Sequence, residues 1–267
     1  MKKRADILLA EQNKARSREK AKAMIIAGIV RCNGKPVVSP SEQFDENSEF
    51  VILGEECPYV SRGGLKLQRA VLEFGIDLSE KICLDIGCST GGFTDCMLQN
   101  GAKYVYAVDV GYGQFDWTLR NDARVELKER TNARYLDAGS FEHPVDFVSI
   151  DVSFISLKLI LPALKKIKHS DELAVVALIK PQFEAGREKV GKKGVVRDPD
   201  VHEEVIASIL DFAQNLGFGI GGLTYSPIKG PNGNIEYLAY LKMGAPLAET
   251  GLMVKETVAA SHKALVH

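Results

Sequence analysis

Two charged residues stand where strongly apolar segments end. Asp151 follows Phe147-Val148-Ser149-Ile150, and Lys180 follows Leu173-Ala174-Val175-Val176-Ala177-Leu178-Ile179. A charge at such a point is costly if it is buried without a partner. Placing Lys180 next to Asp151 and Glu236 would remove that cost. Read singly, each of these residues fits an ordinary strand-end salt bridge better than a catalytic role. A second segment, Leu84-Asp85-Ile86-Gly87-Cys88-Ser89-Thr90-Gly91-Gly92-Phe93-Thr94-Asp95, follows an apolar strand and opens a helix. Its small residues let the backbone approach a ligand closely. It is not G-x-G-x-x-G, because Ser89 holds the middle glycine position. Asp109 ends the next strand, where a carboxylate can accept the protons of both ribose hydroxyls. The candidate contacts are Asp85, Gly87, Ser89, Thr90, Gly91, Gly92 and Phe93 in the loop, then Asp109 and Val110. Asn132 and Ala133, after the third strand, could line the adenine side. By spacing alone this is a site for a nucleotide-type ligand, NAD included. The plain alternative is a strand–turn–helix with Asp109 as a cap.

Those residues need elements to position them. Apolar segments predict strands at Ile82–Ile86, Tyr104–Asp109, Val125–Lys128, Phe147–Asp151 and Leu173–Lys180, with helices around Phe93–Gln99, Leu157–Ile167 and Val201–Leu216. Strands near Gly219–Tyr225 and Glu236–Lys242 follow. The order implies a doubly wound parallel sheet with a C-terminal antiparallel hairpin. In such a sheet ligands bind beyond the carboxyl ends of the strands. The segments Ile150–Ser153, Leu178–Phe183 and Gly230–Glu236 fall there, with Ser61–Lys66 in an opening helix. Residues 1–58 read as a small α/β unit, 59–63 as a linker and 64–267 as the larger domain. In the small unit Ser17 predicts an N-cap for a helix over Arg18–Ala27, and Asn33-Gly34 predicts a hairpin turn. The tail from Ala245 reads as a helix that packs on the sheet.

The chain has 267 residues and a net charge of -1, so it is not basic as a whole. The charge is unevenly spread. Residues 1–35 carry a net +7 and residues 36–60 a net -6, an asymmetry that can mark a nucleic-acid-binding face. Lys14, Arg16, Arg18, Lys20 and Lys22 form one basic cluster. Arg187, Lys189, Lys192, Lys193 and Arg197 form another, in a glycine-rich loop, and Arg62 lies between the domains. These are the candidate RNA contacts, against the plain reading of solvated basic surfaces. The five cysteines include no C-x-x-C pair, so neither a disulfide framework nor a metal site is expected. A charged N-terminus, and no run near the ~18 apolar residues of a membrane span, predict a cytoplasmic protein without membrane insertion.

The form D-x-G-x-S-x-G from Asp85 to Gly91 resembles motif I of class I methyltransferases. Together with Tyr59-Val60-Ser61-Arg62-Gly63-Gly64-Leu65-Lys66-Leu67, Lys180-Pro181-Gln182-Phe183-Glu184 and Gly230–Glu236, it resembles the TlyA family, often labelled hemolysin A. That family joins an RNA-binding domain of the ribosomal S-four type to an FtsJ-like methyltransferase domain, and the resemblance covers nearly the whole chain. It implies a class I, Rossmann-like methyltransferase fold and S-adenosylmethionine as cofactor. It also implies ribosomal RNA or a ribosomal subunit as partner, with 2′-O-methylation typically at cytidine. The family's catalytic tetrad maps onto Lys66, Asp151, Lys180 and Glu236. A lysine has a reference pKa of roughly 10.4, so a lysine that acts as base must be freed of its proton by desolvation or a nearby cation. The rival readings are a non-catalytic RNA-binding or ribosome-assembly factor, a membrane-lytic protein and a NAD-dependent oxidoreductase.

Overall fold

The computed structural model describes all residues except 1, 16, 27, 54–56, 168, 231 and 267. The chain divides into two units, Met1–Arg62 and Gly63–His267.

The first unit contains β1 (Lys2–Arg4), α1 (Ala5–Glu11), α2 (Arg18–Ile26), β2 (Val30–Cys32), β3 (Lys35–Pro36), β4 (Gln43–Asp45) and β5 (Phe50–Ile52). The Ser17 hydroxyl accepts the Lys20 N–H at 3.1 Å and caps α2 as its sequence predicts. Asn33 and Gly34 both adopt positive φ, 51° and 76°, and turn β2 into β3. Strand β2 also pairs with β5, while β1 pairs with β4 in a separate two-stranded ribbon. Leu8, Leu9, Met24, Ile25, Val30 and Phe50 form the core. Asp6, fully buried, is held by Arg4 and Arg18 at 2.9 Å each. The Arg4 guanidinium in particular pulls its carboxyl down to about 2.

The second unit opens with α3 (Gly63–Phe74), followed by β6 (Ile82–Ile86), α4 (Gly92–Gln99), β7 (Tyr104–Val108), α5 (Trp117–Arg120), β8 (Val125–Lys128) and β9 (Val145–Ile150). Then come α6 (Leu161–Leu164), β10 (His169–Ile179), α7 (Pro181–Glu184), α8 (Pro199–Asn215), β11 (Phe218–Tyr225), β12 (Tyr237–Met243) and α9 (Gly251–Leu265). One seven-stranded sheet runs in the order β11-β12-β10-β9-β6-β7-β8. Strands β6 to β10 are parallel, and β12 is antiparallel to both β10 and β11. The central strands are continuous apolar runs because helices cover both faces. Helix α8 begins where Asp198 accepts the Asp200 N–H at 3.0 Å and Pro199 fills the first turn. It buries Val205, Ile206, Ile209, Leu210 and Ala213. Helix α9, in the tail, adds Val254 and Val258 to the same core.

Strand register explains where the site lies. Ile86 pairs with both Val108 and Ile150, and Ile150 pairs with Ala177. The ends of β6, β7, β9 and β10 therefore lie side by side, followed by Gly87, Asp109, Asp151 and Lys180. Because β12 is antiparallel to β10, its first residue, Tyr237, pairs with Ile179. The residue before it, Glu236, is thereby delivered to the same end of the sheet. Among the described residues no helix is long and apolar enough to cross a membrane.

Candidate active site

Lys66, one turn into α3, donates to Glu236 Oε2 at 2.7 Å and lies 3.9 Å from Asp151 Oδ2. Lys180 Nζ contacts the other oxygen of Asp151 at 2.5 Å and the Ser153 hydroxyl at 2.9 Å. Asp151 thus bridges two lysines, and Glu236 closes the row from the far side. Lys66, Lys180 and Glu236 are only 8, 7 and 1% exposed. Two cations and two carboxylates balance, which is what allows four charges to be withdrawn from water together. Gly230 leaves room for Glu236, since a Cβ there would come within 2.5 Å of its Oε1.

Each residue of the Lys180–Glu184 segment has a task. Pro181 starts α7 directly after Lys180. Gln182 donates to Glu236 Oε1 at 3.3 Å, while its own Oε1 is a buried acceptor without a partner. A buried orphan acceptor beside a charged cluster marks a place where a ligand or water can donate. The Phe183 ring packs at 4.9 Å against Phe154. Glu184 accepts from the Ser156 hydroxyl at 2.6 Å and the Leu157 N–H at 2.8 Å, and burial raises its carboxyl above the ordinary range. It therefore ties α7 to the loop after β9. In that loop Phe154 is 89% exposed and has φ 63°, a conformation bulky side chains seldom adopt.

A cavity of about 480 Å³ opens beside this cluster, within the usual range for small-molecule sites. Asp151 and Ser153 belong to its wall as well as to the charged row. Of the loop residues proposed from sequence, Gly87 and Ser89 line it, as do Asp109, Val110, Asn132 and Ala133. A Cβ on Gly87 would overlap the Asp151 carbonyl oxygen. The Asp109 carboxylate accepts the Ser89 N–H at 2.8 Å on one oxygen and the Gly111 N–H at 2.7 Å on the other. Each oxygen keeps lone-pair capacity for a ligand hydroxyl. Val110, Ala133, Val152, Ile155 and Ile160 supply apolar wall. A nucleoside with two free hydroxyls fits this lining.

Other residues proposed from sequence lie off the cavity wall. Asp85 is fully buried beneath the loop rather than on the cavity wall. Its oxygens accept the Thr94 hydroxyl at 2.6 Å and the Ser149 hydroxyl at 3.0 Å, and burial pushes it up to about 7. Thr90, Gly91, Gly92 and Phe93 do not line the cavity either. Gly91, with φ 96°, packs so closely that a Cβ would lie 2.5 Å from Leu119 Cδ1, and Phe93 is buried in α4. Gly91, Gly92 and Phe93 support the loop from its buried side, while Thr90 is exposed. Wall residues that the sequence reading did not single out include Gly111, Gln114, Thr131 and Ile155. They are common loop types whose positions only the fold brings together.

The basic candidates also divide. Lys14 and Arg62 are exposed, and Arg16 lies outside the described residues. Lys20 is turned inward, with its ammonium on the carbonyls of Cys57 at 3.1 Å and Tyr59 at 3.4 Å. Arg18 holds Asp6, and Lys22 contacts Glu19 at 2.6 Å. In the second cluster Lys189 reaches Glu204 at 2.5 Å, whereas Arg187, Lys192, Lys193 and Arg197 are exposed. Lys189, Lys192, Lys193 and Arg197 border a second cavity of about 420 Å³.

Comparison with known proteins points one way. The model of the FtsJ-like methyltransferases matches residues 59–243, and the S4 domain model matches residues 3–50. A Bacillus subtilis protein, YqxC, provisionally assigned as an rRNA methyltransferase, is 50% identical over 99% of this chain and 95% of its own length. The 16S/23S rRNA (cytidine-2′-O)-methyltransferase TlyA of Mycobacterium tuberculosis is 43% identical over 98% of this chain and 97% of its own. A solved Streptococcus thermophilus structure that carries a hemolysin label is 49% identical. It superposes with a TM-score of 0.79 over 98% of this chain and 96% of that one.

Proposed function

We propose that this chain, which belongs to the FtsJ-like methyltransferase family, transfers the methyl group of S-adenosylmethionine to a ribose 2′-hydroxyl of ribosomal RNA, at a cytidine. The observation that carries the proposal is Asp151, which sits in the wall of the nucleoside-sized cavity and bridges Lys66 and Lys180 in the charged row.

S-adenosylmethionine, when bound, supplies an electrophilic methyl group on a sulfonium. Asp109 would hold its ribose hydroxyls, Gly87 lets the Asp151 backbone close up against the loop at the cavity wall, and the apolar wall would take its adenine. The protein's remaining task is to make a poor nucleophile ready. Lys180, once it has released its own proton to solvent, takes the proton of a ribose 2′-hydroxyl at the edge of the row. Asp151 and Ser153 fix the position of the Lys180 nitrogen, and Lys66, held by Glu236, presents positive charge to the ribose oxygen. The open acceptor of Gln182 can take a donor from the substrate. The exposed Phe154 ring offers a stacking face to the target base. Most of the rate gain comes from holding hydroxyl oxygen, methyl carbon and sulfur in line.

RNA capture falls to the S4 domain and to the basic loop around Lys192 and Lys193, and a ribosomal substrate places the enzyme in the cytoplasm. The test is methyl transfer to undermodified ribosomal subunits by wild type and Lys180→Ala, with cofactor titrated by calorimetry. The variant should bind cofactor as wild type does and transfer no methyl. Substantial turnover by Lys180→Ala would remove Lys180 as the base.

A further inference from the structure

The exposed basic loop after α7 is fastened by one buried side chain on another loop. Asn234, 2% exposed, uses both ends of its carboxamide. Its Oδ1 accepts the Val196 N–H at 3.0 Å, and its Nδ2 donates to the Gly194 carbonyl at 2.9 Å. The side chain thus pairs with the loop as a neighbouring strand would. The Asn234 backbone carbonyl accepts the Gly230 N–H at 2.9 Å, and Gly230 is the residue packed against Glu236 Oε1. Two residues after Asn234 comes Glu236 itself, on Lys66. On the other side, the Gly191 and Val195 backbones pair at 3.1 Å and the Gly194 N–H reaches Gly191 at 2.8 Å, so Lys192 and Lys193 sit at the tip of a closed turn. Val196 is buried, and its carbonyl faces His202 Nε2 at 3.2 Å. A short path of hydrogen bonds and chain links therefore runs from the two lysines through Gly194, Val196 and Asn234 to Glu236 and Lys66.

We propose that Asn234 is a positioning residue that couples phosphate capture by the turn around Lys192 and Lys193 to the placement of Glu236, and through it of Lys66. The proposal rests on the RNA methyltransferase reading above. Phosphate held at the tip would then do more than raise affinity. It would fix the turn, and with it the carboxylate that aims Lys66.

The experiment is a double-mutant cycle on RNA methylation, with kcat and the KM for RNA measured separately. The four proteins are wild type, Asn234→Ala, Lys192→Ala/Lys193→Ala and the combination. Loss of the two Asn234 bonds should lower kcat by about tenfold, the scale of a buried hydrogen-bonding group left unpaired. Removing the two lysines from wild type should raise KM and also lower kcat. In the Asn234→Ala background it should still raise KM but leave kcat where it is. Additive losses in kcat would overturn the coupling and reduce Asn234 to a loop-stabilising residue. If Asn234→Ala loses cofactor binding through misfolding, Asn234→Asp takes its place. It keeps the acceptor for Val196 and loses the donor to Gly194, and the same non-additivity is expected. An inactive wild type on every RNA substrate would remove the methyltransferase reading itself, whereas an active wild type with additive cycles removes only the coupling.

Discussion

Asp85 gives a quantitative test of how the loop is built. Its carboxyl is fully buried, and burial raises it from 3.8 to about 7. A carboxyl whose folded value is raised binds its proton more tightly in the native state. Its stabilising contribution is complete below pH 3.8 and is lost as pH rises through 7. A rise of about 3 pKa units corresponds to about 4 kcal/mol lost across that window. Asp85→Asn is neutral at every pH and nearly the same size. Its amide oxygen can accept the Thr94 hydroxyl that now donates at 2.6 Å, and its N–H can face the Ser149 oxygen at 3.0 Å after that hydroxyl rotates. The variant should therefore match wild type near pH 4 and exceed it by about 4 kcal/mol above pH 8. For a domain of this size that is on the order of 10 °C in Tm. Thermal melts of both proteins from pH 4 to 9 measure it. Parallel curves, or a variant that is less stable at pH 8.5, would show that Asp85 is not held neutral beneath the loop.

Two further outcomes follow from the site. Gly87→Ala should weaken S-adenosylmethionine binding by ~100-fold in calorimetry, because the new Cβ meets the Asp151 carbonyl and the backbone sits at φ 84°. Lys192→Ala/Lys193→Ala should make RNA binding less salt-dependent, lowering the magnitude of the log–log slope by about 1.5 while cofactor affinity is unchanged.

Much of the site was legible because charges at the ends of apolar strands are rare and informative. Asp151 and Lys180 stood out by that rule, and the parallel order of strands placed them together. Glu236 needed one more fact, that β12 runs antiparallel, which turns the start of a strand toward the ends of its neighbours. Helix α3 was foreseen as an opening helix around Ser61–Lys66, but its start was hidden, since Gly63-Gly64 is a poor helix start. The burial of Asp85 was not legible, because a strand covered on both faces gives no alternation to say which way a side chain points. The inward turn of Lys20 depends on carbonyls 37 and 39 residues away. The ribbon between β1 and β4 is three residues long with no periodic signal. Asn234 lay in the singled-out Gly230–Glu236 segment, but its own role was not legible, because it is a pair of bonds to backbone atoms 40 and 38 residues distant.

The most direct measurement is the chemical position of the transferred methyl group. Undermodified ribosomal subunits are incubated with the protein and S-adenosylmethionine labelled in its methyl group, and the RNA is then digested to nucleosides. Label in 2′-O-methylcytidine is the expected result, and Lys180→Ala should give none. Label on a base would leave a methyltransferase but contradict a row of Lys66, Asp151, Lys180 and Glu236 directed at ribose. No label in either subunit, with cofactor binding confirmed, would contradict catalysis and favour a protein that binds RNA without modifying it.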